Sequence, residues 1–148
     1  MAPESRESRP PSIIGVLETV LYYTDHGRAQ HFYRDVLGMV LMESDSARHM
    51  FFRAGRSVFL LFDAAASSIA GKLPPHGARG SVHTCFQVAP DAYQAWKDCL
   101  AGHGIPILRE MQWTRGRSFY FHDPDANLLE IADADIWPTA NEGGEKKS

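Results

Sequence analysis

Glu18, His83 and Glu130 are the residues whose chemistry least suits their neighbours. Glu18 interrupts the apolar run from Ile13 to Tyr23, His83 stands between Val82 and Thr84-Cys85-Phe86, and Glu130 between Leu128-Leu129 and Ile131-Ala132. A carboxylate in such a setting loses hydration and needs a charge partner or a metal to offset that loss. Taken singly, each has a plainer explanation: a strand glutamate on the solvent face, a histidine satisfied within a core. Taken together, one imidazole and two carboxylates form a nitrogen and oxygen donor set suited to divalent Mn, Fe, Ni, Co or Zn. Such a set leaves coordination positions for water or substrate.

An internal duplication gives these residues a reason to meet. In the first half, Ile13 to Tyr23 reads as a strand buried on at least one face. Ala29, Phe32, Tyr33, Val36 and Leu37 then recur with helical spacing, between a cap at Asp25 and a stop at Gly38. Strands are predicted at Met39 to Glu43, His49 to Arg53 and Ser57 to Phe62. In the second half, Val82 to Val88 reads as a strand. Ala92, Ala95, Trp96, Cys99 and Leu100 repeat the helical pattern, with Pro90 in its first turn and Gly102 at its end. Strands follow at Ile105 to Trp113, Ser118 to His122 and Leu128 to Ala132. The expected fold is α+β: two tandem βαβββ modules, residues 13–63 and 82–136, forming a curled mixed sheet around one cleft with helices outside. Residues 64–81 are a connector rich in Ser, Gly and Pro. The polar segments 1–12 and 137–148 are expected to be disordered tails. Aligning the halves makes Glu18 equivalent to His83 and Leu60 equivalent to Glu130, so three of four symmetry-related positions carry ligand chemistry.

Bulk composition narrows the function. The chain has 148 residues, 44% hydrophobic and 22% charged, enough for one domain with a real core. A formal charge of −3 without basic blocks argues against nucleic acid as a partner. No apolar stretch is long enough for a membrane span and no signal region precedes the first strand, so a cytoplasmic location is expected. Cys85 and Cys99 form no CxxC motif and are expected to be buried apolar fillers. There is no HExxH, no phosphate-binding Gly loop and no dinucleotide fingerprint.

Two segments carry a resemblance. Ala29-Gln30-His31-Phe32-Tyr33-Arg34-Asp35-Val36-Leu37-Gly38-Met39 is similar to a helix ending in FYxxxLG, and Tyr120-Phe121-His122-Asp123-Pro124-Asp125-Ala126-Asn127-Leu128-Leu129-Glu130-Ile131 is similar to an F-x-DP-x-G-N-x-x-E hairpin. Both are marks of the vicinal oxygen chelate superfamily, which includes glyoxalases, extradiol dioxygenases and bleomycin resistance proteins. The resemblance runs from about Ile14 to Asp133. It implies metal ligands from the first and last strands of each module, hence Glu18, His83 and Glu130. Leu60 departs from the pattern of glyoxalase lyases, which usually place a carboxylate there, and Glu18 departs from extradiol dioxygenases, which place a histidine there. Ala126 replaces the usual turn glycine, and Asn127 at positive φ is expected to absorb the change.

Around these positions, strand alternation puts Val20 and Tyr22 on the face of Glu18, and Cys85 and Gln87 on that of His83. Tyr22, Gln87, Arg53 and Trp113 are candidate substrate contacts, with Trp113 and Phe51 as a possible apolar floor. Arg56, Arg115 and Arg117 are further cations at turns, more simply read as solvated. His76 is expected to ride on a connector that folds over the cleft mouth. The function that the resemblance implies for these residues is that of a glyoxalase-like metal-dependent lyase or isomerase. It would act on a small oxygen-rich substrate through an enediolate, with Glu130 or Glu18 as the proton-transfer base. An extradiol-type dioxygenase is the enzymatic alternative; a metal-free drug-binding protein of the bleomycin resistance type is the non-enzymatic one. A homodimer is expected, since members of the family commonly pair and Trp137 is an apolar residue needing cover.

Overall fold

Each half of the chain builds one four-stranded mixed sheet, backed on one side by its helix. The structure, a computed structural model, describes residues 11, 13–134, 136 and 137. In the first module β1 (Glu18–Tyr23), β2 (Val40–Asp45), β3 (His49–Ala54) and β4 (Ser57–Asp63) are ordered β1-β4-β3-β2. In the second, β5 (His83–Gln87), β6 (Arg109–Trp113), β7 (Gly116–His122) and β8 (Leu128–Ala132) are ordered β5-β8-β7-β6. The orders are identical, with the first and last strands parallel and the rest antiparallel. The predicted duplication and βαβββ topology are therefore present. Among the described residues they take the form of two sheets, without a closed barrel.

The register confirms the alignment read from the sequence. Glu18 lies opposite Val58 and Val20 opposite Leu60; at the matching points His83 lies opposite Leu128 and Cys85 opposite Glu130. Alternation then separates two faces. Leu21, Phe52, Phe59, Leu61, Phe119, Phe121, Leu129 and Ile131 point to the helices and form the core with Phe32, Tyr33, Tyr93 and Leu100. Each such side chain contributes roughly 1.5–3 kcal/mol on burial. The opposite faces carry Glu18, His83 and Glu130.

Local sequence explains the helices. Asp25 caps α1 (His26–Gln30) by accepting from the Arg28 N–H at 2.9 Å. The segment continues through a wider turn, His31–Val36, in which Leu37 N–H bonds Phe32 O at 2.9 Å. It ends at Gly38, whose φ of +66° favours glycine. In the second module Pro90–Ala92 form a 3₁₀ turn leading into α3 (Tyr93–Gly102), as expected of a proline in the first turn. The connector contains one short helix, α2 (Ala64–Ser67), capped by Asp63.

Three expectations need correction. Residues 13–17 are not strand: Ile13, Ile14, Val16 and Leu17 are 73–103% exposed. The reason is that β4 begins at Ser57 and its last backbone bond to this segment runs from Val58 N–H to Leu17 O, so the residues before Leu17 have no opposing strand. Cys85 is exposed, not a buried filler, because it alternates onto the open face of edge strand β5; Cys99 is half-buried. The turn before β8 places Ala126 itself at φ +61°, while Asn127 is buried and held by hydrogen bonds. The segments expected to be tails lie, Pro11 and Trp137 apart, outside the described residues; Trp137 is 53% exposed. No helix among the described residues is long and apolar enough to cross a membrane.

Candidate functional site

His83 and Glu130 meet. As first residue of β5 and middle residue of β8 they share one face, and His83 Nε2 stands 3.2 Å from Glu130 Oε2. His83 Nδ1 is 2.8 Å from the carbonyl oxygen of Leu128, the residue across the strand from it. A carbonyl only accepts, so Nδ1 carries the proton and donates, and in the neutral ring Nε2 is left with a lone pair. That lone pair faces a carboxylate oxygen. Two acceptors at this separation are reconciled by a proton, carried on Nε2 or on the carboxyl, or by a metal ion. Ligand bonds of about 2.0–2.2 Å at tetrahedral to octahedral angles place two donor atoms of one ion roughly 3.0–3.4 Å apart, so the pair fits a metal. A backbone carbonyl fixing the other ring nitrogen is also how metal-binding imidazoles are oriented. The Glu130 side chain is fully buried, while that of His83 is 42% exposed, so the site opens to solvent on the histidine side.

Glu18 does not join them within one chain. It is exposed at the start of β1, in the other sheet, and among the described residues no three His, Cys, Asp or Glu side chains are grouped closely enough to hold one ion. The structure thus brings two of the three expected ligands together and leaves the third on a separate open face.

The two open faces differ. Across the first sheet, Val20, Leu60 and Phe51 form one row, and Tyr22, Phe62 and His49 the next. His49 stacks on Phe51 at 4.3 Å between ring centroids and pairs with Glu43 at 2.8 Å. The connector closes over the end of this face. His76 accepts or donates at 2.8 Å with the Tyr22 hydroxyl, and its ring meets Phe62 edge-on at 4.5 Å. It is pinned by bonds to Ser67 in both directions, His76 N–H to Ser67 O and Ser67 Oγ to His76 O. Tyr22 therefore serves to hold the connector, and burial pushes its hydroxyl pKa up. Arg53 is exposed in the row of Glu18, as Glu18, Val58 and Arg53 lie side by side.

Across the second sheet, Cys85, Glu130, Tyr120 and Arg109 form the central row, flanked by His83 and His122 on one side and by Gln87, Ser118 and Met111 on the other. Gln87 is exposed on the His83 face, as expected. Trp113 is half-buried and donates from its indole N–H to Ser118 Oγ at 2.8 Å. Phe51 and Trp113 belong to different sheets, so they do not floor one pocket within the chain. Arg117 is committed elsewhere, bonded to Asp133 and stacked over Tyr93 at 4.2 Å; the pairing holds the Asp133 carboxyl below its ordinary pKa although burial opposes this.

Sequence reasoning missed the clasp between modules. Asp123 is buried and accepts from the Tyr33 hydroxyl at 2.6 Å, from Asn127 N–H and side-chain amide, and from Asp125 N–H. Asn127 also donates to Tyr22 O, and Thr24 donates twice to Asp125. The DP and N of the turn were the available signal. A cavity of about 640 Å³ lies between the modules, against Thr19, Phe59, Thr84, Phe86, Trp96 and Ile131, and does not reach His83, Glu130 or Glu18.

Residues 15–131 match the profile of the Glyoxalase/Bleomycin resistance protein/Dioxygenase superfamily. Among solved structures, a lactoylglutathione lyase from Agrobacterium tumefaciens is 35% identical, with a TM-score of 0.79 over 87% of this chain and 98% of that one. A fosfomycin resistance protein, FosX, from Listeria monocytogenes, in complex with Mn(II) and a dihydroxypropylphosphonic acid, is similar in fold at 19% identity, with a TM-score of 0.64 over 83% and 92%. A glyoxalase/dioxygenase from Nostoc punctiforme is similar at 21% identity and a TM-score of 0.62, over 80% and 90%. No curated protein matches.

Proposed function

The chain belongs to the glyoxalase/bleomycin resistance protein/dioxygenase superfamily, and from that premise we propose that it is a metal-dependent lyase or isomerase acting on a small substrate with two neighbouring oxygens. The observation that carries this reading is the His83–Glu130 pair, 3.2 Å apart with the imidazole oriented by Leu128. The third ligand is Glu18 of a second copy. Each sheet presents an open face with part of the donor set, and two chains laid face to face would complete two equivalent sites, each from β1 of one and β5 and β8 of the other. Support also comes from the Agrobacterium lactoylglutathione lyase, which the chain resembles over nearly its whole length.

A divalent ion bound there supplies Lewis acidity, stabilising negative charge on a substrate oxygen. The chain supplies the rest. His83 is locked in one tautomer by Leu128 and presents Nε2 without reorganisation. Glu130, buried between apolar neighbours, would take a proton from the carbon beside the substrate carbonyl and return it, with Glu18 as the alternative base. Leu60 leaves unfilled the position equivalent to Glu130, and with Val20 and Phe51 it offers the substrate an apolar wall.

A second reading, drug sequestration without chemistry, is favoured by the stacked rings of His49 and Phe51 on the first sheet, which suit a planar or cationic ligand. Elemental analysis of protein purified without added metal separates the two. About one equivalent per chain, lost in both His83→Ala and Glu130→Ala, is the expected result. Metal-free protein that cannot be loaded with Mn, Fe, Ni, Co or Zn overturns it.

A further inference from the structure

We infer that Arg109 binds an anionic group of the substrate, so that the substrate class is a metal-chelating pair of oxygens joined to a carboxylate or similar acid; this rests on the metal-dependent reading above. Register fixes where Arg109 lies. It is opposite Tyr120, which is opposite Glu130, and residues opposed across strands share a face. The neighbouring residue proves the alternation: Glu110 points to the helix side, where it accepts from the Tyr93 hydroxyl at 2.8 Å and pairs with Lys97 at 2.9 Å. Arg109 is therefore on the same open face as His83 and Glu130, two strand spacings or about 10 Å from Glu130 between Cα atoms.

Within one chain its charge is uncommitted. Arg34 is paired with Asp35 and Arg117 with Asp133, whereas the exposed Arg109 has no carboxylate partner among the described residues. Glu110 is held on the opposite side of the sheet, and Glu130 is engaged with His83. The other side chains facing Arg109 on this face are His122, Tyr120, Met111 and Trp113, none of which is an acid. Arg109 thus presents an open guanidinium fork beside a candidate metal position, across one tyrosine ring, with Met111 and Trp113 as an apolar flank along its own strand. A guanidinium so placed matches a carboxylate in two parallel hydrogen bonds. It selects a ligand whose acid lies roughly 5–10 Å from its chelating oxygens.

The test uses two chelating probes of equal length: glutaric acid monohydroxamate, which carries a terminal carboxylate, and pentanohydroxamic acid, which ends in a methyl group. Their affinities for zinc-loaded protein are measured by calorimetry on the wild type, Arg109→Gln and Arg109→Lys. The expected result is a preference of about 10- to 100-fold for the acidic probe in the wild type. That preference collapses in Arg109→Gln and is partly kept in Arg109→Lys, while the neutral probe binds all three alike. Equal affinities for the two probes in the wild type, or a preference unchanged in Arg109→Gln, overturns the role of Arg109 and leaves the metal reading intact. Failure of both probes to bind, together with zinc content unaffected by His83→Ala, overturns the metal reading and this inference with it. Sedimentation of Arg109→Gln is run in parallel: dissociated subunits with unchanged probe discrimination would assign Arg109 to assembly and overturn the proposal.

Discussion

The two modules share one topology, and one register except at a bulge between β2 and β3, yet present opposite chemistries on equivalent surfaces. Where the second sheet has His83, Glu130 and Tyr120, the first has Glu18, Leu60 and Phe51. The first face is largely aromatic and is overlaid by the connector through His76. The second is polar, open at His83, and backed by a buried carboxylate. Duplication supplies matching positions, and divergence at a few of them leaves one surface aromatic and gives the other a paired imidazole and carboxylate. The proposed metal site draws on both surfaces, His83 and Glu130 from one and Glu18 from the other.

The polar hairpin of the second module also holds the modules together, and disrupting it is the largest change expected. Asp123→Ala removes the acceptor of four hydrogen bonds at a buried point and should cost about 3–5 kcal/mol in urea unfolding. Tyr33→Phe, which removes one of the four, should cost about 1.5–3 kcal/mol. A loss below 1 kcal/mol for Asp123→Ala would mean that the clasp is incidental. The same region sets an alkaline limit. Tyr33 is held well above its usual pKa by burial and then by Asp123, and Tyr23 is raised to about 12, chiefly by burial with Asp63 and Asp45 adding. Above pH 10 the unfolded chain loses these protons and the folded chain keeps them, so stability is full below that pH and falls as it rises toward 12. Unfolding followed from pH 8 to 12 should show the decline; a flat profile would contradict it.

Making the first module resemble the second is the next test. Leu60→Glu restores the missing symmetry-related carboxylate at a position only 8% exposed. The metal-free protein should lose about 1–3 kcal/mol from the buried charge. Metal affinity should rise at least about 10-fold as a fourth ligand is added. Destabilisation without tighter binding would show that Leu60 does not face the ion.

The smallest effect concerns the turn where Ala126 stands at φ +61°. A left-handed alanine costs roughly 1–2 kcal/mol, and glycine gives back part of that gain through its freer unfolded chain. Ala126→Gly should therefore stabilise by about 0.5–1 kcal/mol, seen as a higher urea midpoint. A lower midpoint would show that the alanine conformation is not strained.

Much of this was legible in the sequence. Hydrophobic periodicity, Asp25 and Gly38 located the first helix, and the repeated pattern aligned Glu18 with His83 and Leu60 with Glu130 as the register has them. What escaped depends on neighbours that periodicity does not encode. Ile13 to Leu17 look like strand, yet β4 starts too late to pair with them. Cys85 looks like core, yet it faces outward from an edge strand. Ala126 takes the strained backbone itself because Asn127 is committed to Asp123 and to Tyr22 O. Of the candidate ligands, the sequence singled out His83 and Glu130, which the fold brings together, whereas the alignment of the halves does not encode whether Glu18 meets His83 of its own chain or of another.

Subunit mixing tests that point most directly. Glu18→Ala and Glu130→Ala are purified separately, shown to be metal-deficient, then mixed under conditions that exchange subunits, and bound metal is measured. A shared site predicts recovery, because a mixed dimer unites an intact Glu18 from one chain with intact His83 and Glu130 from the other, giving one working site in two. Metal content that stays at the level of the separate variants after verified exchange would contradict it.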